Sequence, residues 1–376
     1  MNQDFQRQVP ELAAAAVPRW YDRIHIDPIL VGLLILVVLF GLTVLRSAVD
    51  GDDALFMAQA NRFGLAFLVM VIMAQVPPNL YMRWAPMLYL ICLILLALTF
   101  FFGAEVKGSR RWLDVPHLLR FQPSELIKIV VPMSVAWYLH QRILPPSAKH
   151  VLISLLIILV PAIVIGQQPD LGTGILVVAA GLSVLMFAGL HWRWVFYAML
   201  LAVLTTPIVW QYVLTGYQKQ RILTLFDPEG DPLGAGWNII QSTTAIGSGG
   251  LFGKGLFQGS QSYLDFLPEA RTDFIVAVMG EELGFFGIFA LLALYLLIIA
   301  RCLFLAADAS STFGRLLAGA LTMTFFVYLF VNIAMVSGLL PVVGVPLPLV
   351  SYGGTSAITL MAGFGIIMSM RSHKAW

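Results

Sequence analysis

The chain has 376 residues, of which 59% are hydrophobic and 11% charged, and its formal net charge is +2. Soluble domains carry about 25% charged residues, so this composition excludes a soluble protein, and the apolar runs along the whole length leave no room for a second, soluble domain. The two cysteines, Cys92 and Cys302, sit in or at the end of apolar runs, which excludes a disulfide framework and a cysteine metal site; nothing in the charge points to nucleic acid.

A membrane-crossing helix needs about 20 apolar residues. The polar N-terminal tail carries Arg7, Arg19 and Arg23, and no small-residue cleavage site follows the first apolar run. That run is read as a retained span. Apolar stretches predict spans near 28–46, 63–80, 84–103, 124–142, 151–167, 173–190, 194–213, 273–301, 314–337 and 354–370. The second is interrupted by Pro77 and Pro78, and the fourth carries Glu125 and Lys128. A membrane barrel would show short alternating strands instead. The expected fold is therefore an all-α polytopic membrane protein of about ten helices. It forms one domain over 1–376, with a long loop at 214–272 between the seventh and eighth spans. An even number of spans puts both termini on one side, together with Arg83, Arg142, Lys149, Arg193, Arg301, Arg315, Arg371 and Lys374. The opposing loop at 47–62 holds Asp50, Asp52 and Asp53. Positive charge marks the cytoplasmic side, so both termini are expected there.

The candidate residues follow in chain order. Asp50-Gly51-Asp52-Asp53 spells a metal-binding D-x-D, but no sugar-nucleotide fold surrounds it, and it reads as a solvated acidic loop. Loop 104–123 carries Lys107, Arg110, Arg111 and Arg120 on the side where basic residues are disfavoured. One reading is an anionic ligand such as a diphosphate, gripped chiefly by Lys107 and Arg111. The other is contact with lipid headgroups and local ion pairing. Glu125 and Lys128 share a helix face. They form either a structural ion pair or part of a polar cavity. Asp170, in Q-Q-P-D-L-G-T-G, lies in an outer turn, as a helix cap or a ligand contact. Loop 214–272 adds Lys219, Arg221, Lys254 and Arg271, with Lys254 a candidate substrate contact, and a run of glycines from Gly247 to Gly259. The run lacks the G-K-[ST] ending of a nucleotide loop. It predicts a re-entrant or irregular segment packed close to other helices. Glu269 is placed to bind substrate or a divalent cation, or to pair with Arg271. Asp273 opens the eighth span. It is either a helix N-terminal carboxylate favoured by the dipole or a general base, which must be ionised. Glu281 lies about 12 Å further along that helix. The segment P-L-P-L-V-S-Y-G-G-T-S at 346–356 breaks a span entrance with Pro and Gly, and is expected to line a cavity. No His, Cys or carboxylate cluster has metal-ligand spacing.

Three motifs together, R-F-Q-P-S-E-L-I-K at 120–128, L-P-E-A-R-T-D-F-I around 273 and P-L-P-L-V-S-Y-G-G-T-S at 346–356, closely resemble the SEDS family of peptidoglycan glycosyltransferases. The stretches V-G-V-P-L-P-L-V-S-Y-G-G-T-S and Q-G-S-Q-S-Y-L-D-F-L-P-E favour its rod-shape branch over the division-specific one. The resemblance spans nearly the whole chain. It implies a polymerase of lipid II in the bacterial inner membrane that makes glycan strands during elongation and releases undecaprenyl diphosphate. It also implies that Asp273 is the catalytic residue, and that Gln122, Ser124, Glu125 and Lys128 belong to a substrate cavity. Arg271 departs from the His that many relatives carry. The implied partners are a class B penicillin-binding protein transpeptidase and other membrane proteins of the elongation complex; magnesium or manganese remains an option. Two rival readings share the same residues: a lipid II flippase or other transporter, and a non-catalytic scaffold.

Overall fold

The computed structural model describes residues 24–49, 51–106, 109–115, 119–168, 170–214, 216–230, 235–259 and 269–373. Each predicted span corresponds to a helix among them: α1 Pro28–Ala48, α2 Asp53–Gln75, α3 Pro78–Phe102, α4 Pro123–Leu139, α5 Ala148–Gln167, α6 Leu171–Phe187, α7 Trp192–Ile208, α10 Ile275–Ala307, α11 Thr312–Val336 and α12 Thr355–Ser372. Seven helices are long and apolar enough to cross a membrane. Leu36, Leu39, Ile72, Leu98 and Ile163 are exposed large apolar side chains on these helices, as lipid-facing surfaces require. Glu125, Lys128, Gln59, Glu281 and Asn332 are buried, as costly polar groups in a bundle must be.

Three predicted segments take a different form. The second helix starts at Asp53, ten residues before the predicted span. Asp52 caps it, accepting from Ala54 N at 2.9 Å and Leu55 N at 3.2 Å. The acidic loop is thereby reduced to a tight turn whose Asp52 has a structural job. Loop 104–123 folds into a small antiparallel sheet, β1 Ala104–Val106, β2 Ser109–Val115 and β3 Leu119–Phe121, in the order β1-β2-β3. Among the described residues of 214–272 stand the α-helices α8 Gly216–Phe226 and α9 Ala235–Ser248, with a short 3-10 turn at Pro228–Gly230 between them. α9 lies against the bundle, with Ile239 and Ala245 buried and Ser242 Oγ donating to Val336 O at 2.8 Å.

α10 is broken in its third turn. Gly284 stands at φ +64°, ψ −162°, outside any helix. The glycine-rich segment repairs the break. Lys254 N and Gly255 N donate to Glu281 O and Glu282 O at 3.0 and 2.9 Å, and Phe285 N donates to Gly250 O at 2.9 Å. A methyl group on Gly253 would fall 2.1 Å from Glu282 O. Only glycine permits that approach, so the predicted close-packing segment is present and its partner is the α10 break.

At the opposite end, Asp27 gathers the two ends of the described chain. It caps α1 through Leu30 N at 2.9 Å, takes Arg301 Nη2 at 2.6 Å, and meets Arg371 Nη1 at 3.0 Å. Burial pushes its carboxyl up, but the hydrogen bonds from Arg301 and Leu30 and the charges of Arg301 and Arg371 outweigh that and hold it below the usual range.

Candidate active site

The turn that enters α10 places Asp273 at the end of the bundle opposite Asp27. Thr272 N and Phe274 N both donate to Glu269 O, at 3.1 and 3.2 Å, and Thr272 Oγ1 donates to Glu269 Oε2 at 2.8 Å. Glu269 therefore folds the turn that presents Asp273. The irregular stretch before α12 braces it from the side. Tyr352 N donates to Arg271 O at 2.8 Å, and Ser351 Oγ donates to Thr272 O while accepting from Leu347 N at 2.8 Å. Tyr295 OH fixes the same stretch at Pro348 O, 2.5 Å away, and Gln59 accepts from Gly353 N at 3.2 Å. The P-L-P-L-V-S-Y-G-G-T-S segment thus forms the wall behind Asp273.

Asn332 of α11 ties the two irregular segments together. Its Nδ2 donates to Asp273 O at 2.8 Å and to Val345 O at 2.7 Å, and the side chain is fully buried. A methyl group built on Gly344 would lie 3.4 Å from Asp273 Oδ2. The carboxylate therefore sits against the bare backbone of residue 344.

A second cluster adjoins the same stretch. A methyl group on Gly172 would be 2.9 Å from Val343 O, so the N-terminus of α6 abuts residue 343 while Asp273 abuts residue 344. Asp170 caps α6 through Thr173 N at 3.2 Å and Thr173 Oγ1 at 3.0 Å. Its Oδ2 also receives Gln122 Nε2 at 3.3 Å and lies 3.2 Å from Arg111 Nη1. The cap reading of Asp170 is correct, and the same carboxylate holds two other predicted site residues. Arg111 remains partly exposed at this junction. Lys107 lies outside the described residues, as does the side chain of Arg110.

Glu125 and Lys128 pair at 2.7 Å with 6% and 3% of each residue exposed, and Lys128 Nζ also donates to Tyr328 OH. Tyr328 packs with Leu176, Val331 and Val345. It lies one helical turn before Asn332, so α11 links the ion pair to the Asp273 turn. A small pocket between α4, α11 and α12 is lined by Lys128, Thr324, Tyr328 and Phe364. Among the described residues, Ser124 Oγ, Glu125 Oε2 and Asn332 Oδ1 are buried without a hydrogen-bond partner.

Lys254 is placed elsewhere. Its Nζ meets the buried Glu281 Oε1 at 2.6 Å, and Glu282 Oε1 receives Ser47 Oγ at 2.6 Å. Both contacts belong to the repaired break in α10. Among the described residues no group of three or more His, Cys, Asp or Glu side chains is arranged to hold a metal ion. Sequence reasoning missed Asn332, Tyr328 and Gln59, and took Ser351 only as part of the 346–356 segment. Asn332 and Tyr328 are lone polar residues in an apolar run, Gln59 fell in a predicted loop, and the partners of each lie far away in the chain.

Chemically, the site offers a carboxylate at the positive end of a helix, fixed on a braced turn, with an arginine-bearing polar cluster beside it. That combination can abstract a proton and stabilise an anionic leaving group.

The sequence model of the FtsW/RodA/SpoVE cell cycle proteins matches residues 24–375. The chain is 51% identical over 355 residues to the peptidoglycan glycosyltransferase MrdB of Escherichia coli K12, covering 94% of this chain and 96% of that protein. It is 34% identical over 359 residues to the probable peptidoglycan glycosyltransferase FtsW of Trichlorobacter lovleyi, covering 92% of each. A chain solved in work on the structural coordination of polymerization and crosslinking by a peptidoglycan synthase complex superimposes with TM-score 0.80 at 31% identity, over 91% of this chain and 96% of that one. The Thermus thermophilus rod shape determining protein RodA superimposes with TM-score 0.68 at 29% identity, over 91% and 95%.

Proposed function

Because the chain belongs to the FtsW/RodA/SpoVE family, we propose that Asp273 is the general base of its reaction. The chain is a peptidoglycan glycosyltransferase, and its greater identity to MrdB than to FtsW puts it with the rod-shape members that act in elongation. The substrate is lipid II. Asp273 takes the proton from the 4-hydroxyl of the acceptor GlcNAc. That oxygen bonds to the anomeric carbon of the donor MurNAc, the bond to the diphosphate breaks, and undecaprenyl diphosphate leaves. One base and strong charge stabilisation of the leaving group suffice. The two flanking carboxylates of glycoside hydrolysis are not required.

Arg111, with Lys107 and Arg110, takes the diphosphate, while Gln122 and Asp170 hold Arg111 at the site. Glu125, Lys128 and Ser124 form the floor of the cavity. Glu269 shapes the turn, and Lys254 locks the glycine-rich segment to α10. The chain acts as one multi-pass membrane domain in the bacterial inner membrane, with both termini cytoplasmic and 214–272 on the outer side. It works with a crosslinking partner of the class B penicillin-binding type.

The observation that carries this reading is the bracing of the Asp273 turn from α11 and from the 345–352 stretch, beside the Arg111–Asp170 cluster. The test is the purified chain in nanodiscs, supplied with lipid II. Glycan strands resolved by electrophoresis support it. A transporter would move intact lipid II and make no strands, and a scaffold would make none without its partner's own polymerase.

A further inference from the structure

We propose that Asn332 is a positioning residue for glycosyl transfer, acting on the carboxylate of Asp273 through its backbone; this rests on the reading of Asp273 as the base. The orientation of the Asn332 amide is settled by its partners. Both neighbours are carbonyl oxygens, at 2.8 and 2.7 Å, and only the NH2 group can donate to two acceptors. Both of its protons are therefore used, one on each of the two irregular segments that meet at the site.

The helical ladder explains why Asp273 needs that support. Ala277 N donates to Phe274 O at 2.9 Å, so the ladder of α10 begins one residue after Asp273. The carbonyl of Asp273 is held instead by Asn332, from a helix 59 positions away in the chain. The other amide proton fixes Val345, next to Gly344, whose backbone faces Asp273 Oδ2. One rigid amide on α11 thus sets both the carboxylate and the surface it rests on. The cost of this arrangement is visible: Asn332 Oδ1 is buried with no partner among the described residues. A residue selected for packing alone would be apolar here, among Phe330, Val331, Ile333 and Ala334.

The test is Asn332→Leu, which keeps the shape and removes both donors, measured on lipid II in nanodiscs together with thermal unfolding. A displacement of the base by about 1 Å costs about 100-fold in rate. The expected result is a kcat lowered about 10- to 100-fold in the folded fraction, with KM near that of the unaltered protein and an unfolding temperature lowered by the two stranded carbonyls. An unchanged kcat overturns the proposal. So does a kcat that is normal once corrected for the folded fraction at the assay temperature, or a raised KM at constant kcat. If Asn332→Leu does not fold, Asn332→Ser, whose hydroxyl leaves room for a bridging water, is judged by the same criteria. Asp273→Asn is run beside them. Activity in that variant sinks the base itself, whereas a dead Asp273→Asn with a fully active Asn332→Leu sinks only the positioning role.

Discussion

Replacing Glu125 with Gln would strand the ammonium of Lys128 in the middle of the bundle. The side chains stand 2.7 Å apart, and the lysine is 3% exposed. An intact buried pair contributes little net stability, because desolvation offsets the attraction, but removing one partner costs about 3–5 kcal/mol. At about 1.4 kcal/mol per tenfold, that lowers the folding equilibrium by two to three and a half orders of magnitude. Tyr328 OH also contacts Lys128 Nζ and softens the loss without removing the charge. The double variant Glu125→Gln with Lys128→Met strands no charge and should regain most of the stability. Unfolding can be followed with a thiol-reactive dye, since Cys92 and Cys302 are both buried and free. The two variants and the unaltered protein are compared in nanodiscs, with polymerisation measured on the same samples. A single variant that unfolds like the unaltered protein would refute the reasoning. A stable double variant that still polymerises poorly assigns the pair a role in the reaction; full activity reduces it to a helix clamp.

Neutralising Lys107, Arg110 and Arg111 together should weaken lipid II binding in neutral-lipid nanodiscs by about ten- to a hundredfold per lost charge-assisted contact, and leave a disaccharide lacking the diphosphate unaffected; unchanged affinity would assign these residues to lipid headgroups. Gly253→Ala drives a methyl group to 2.1 Å from Glu282 O at φ +79°, so it should cost about 1–3 kcal/mol of strain or more, and an unfolding temperature like that of the unaltered protein would contradict the repaired break in α10. The carboxyl of Asp27 is held below its ordinary value near about 3.9, so its contribution is complete above that value and is lost as the pH falls through the lower, folded one. The stability gap between the unaltered protein and Asp27→Asn should therefore be constant from about pH 6 to 8 and shrink only in acid below about pH 4; a gap that closes near neutrality would refute this.

The helices were legible because lipid-facing surfaces demand long apolar runs, and two of those runs start at or beside Pro28 and Pro123, at helix N-termini; the break at Gly284 falls inside the run at 273–301 and was not legible. The first turns of α2 were not legible. Gln59 and Arg62 read as loop, yet Gln59 is buried and binds the backbone of Gly353. Polar residues that face inward in a membrane bundle look like solvated ones until their partners are known. The same limit hid α9, whose apolar face is short. At the site, Glu125 with Lys128 announced themselves as ionisable groups in a costly place, Asp170 as a helix cap or ligand contact, and Asp273 as a helix-entry carboxylate that the family resemblance singled out. What a chain reading could not supply was their grouping. Arg111 and Gln122 reach Asp170 across 59 and 48 positions, and Lys254 reaches Glu281 across 27. Asn332 gave no signal at all, since one amide within an apolar span differs little from a solvated or core residue until both of its acceptors are seen.

The central claim is that one carboxylate performs the proton transfer. Asp273→Asn is nearly isosteric, and the contacts that hold this turn from outside, Asn332 on its own carbonyl and Tyr352 and Ser351 on its neighbours, all reach the backbone. The fold and the binding of the crosslinking partner should therefore survive, while polymerisation of lipid II by the purified variant should fall to background because the base is gone. Glycan strands produced at a near-normal rate by a folded, partner-bound Asp273→Asn protein would contradict the account.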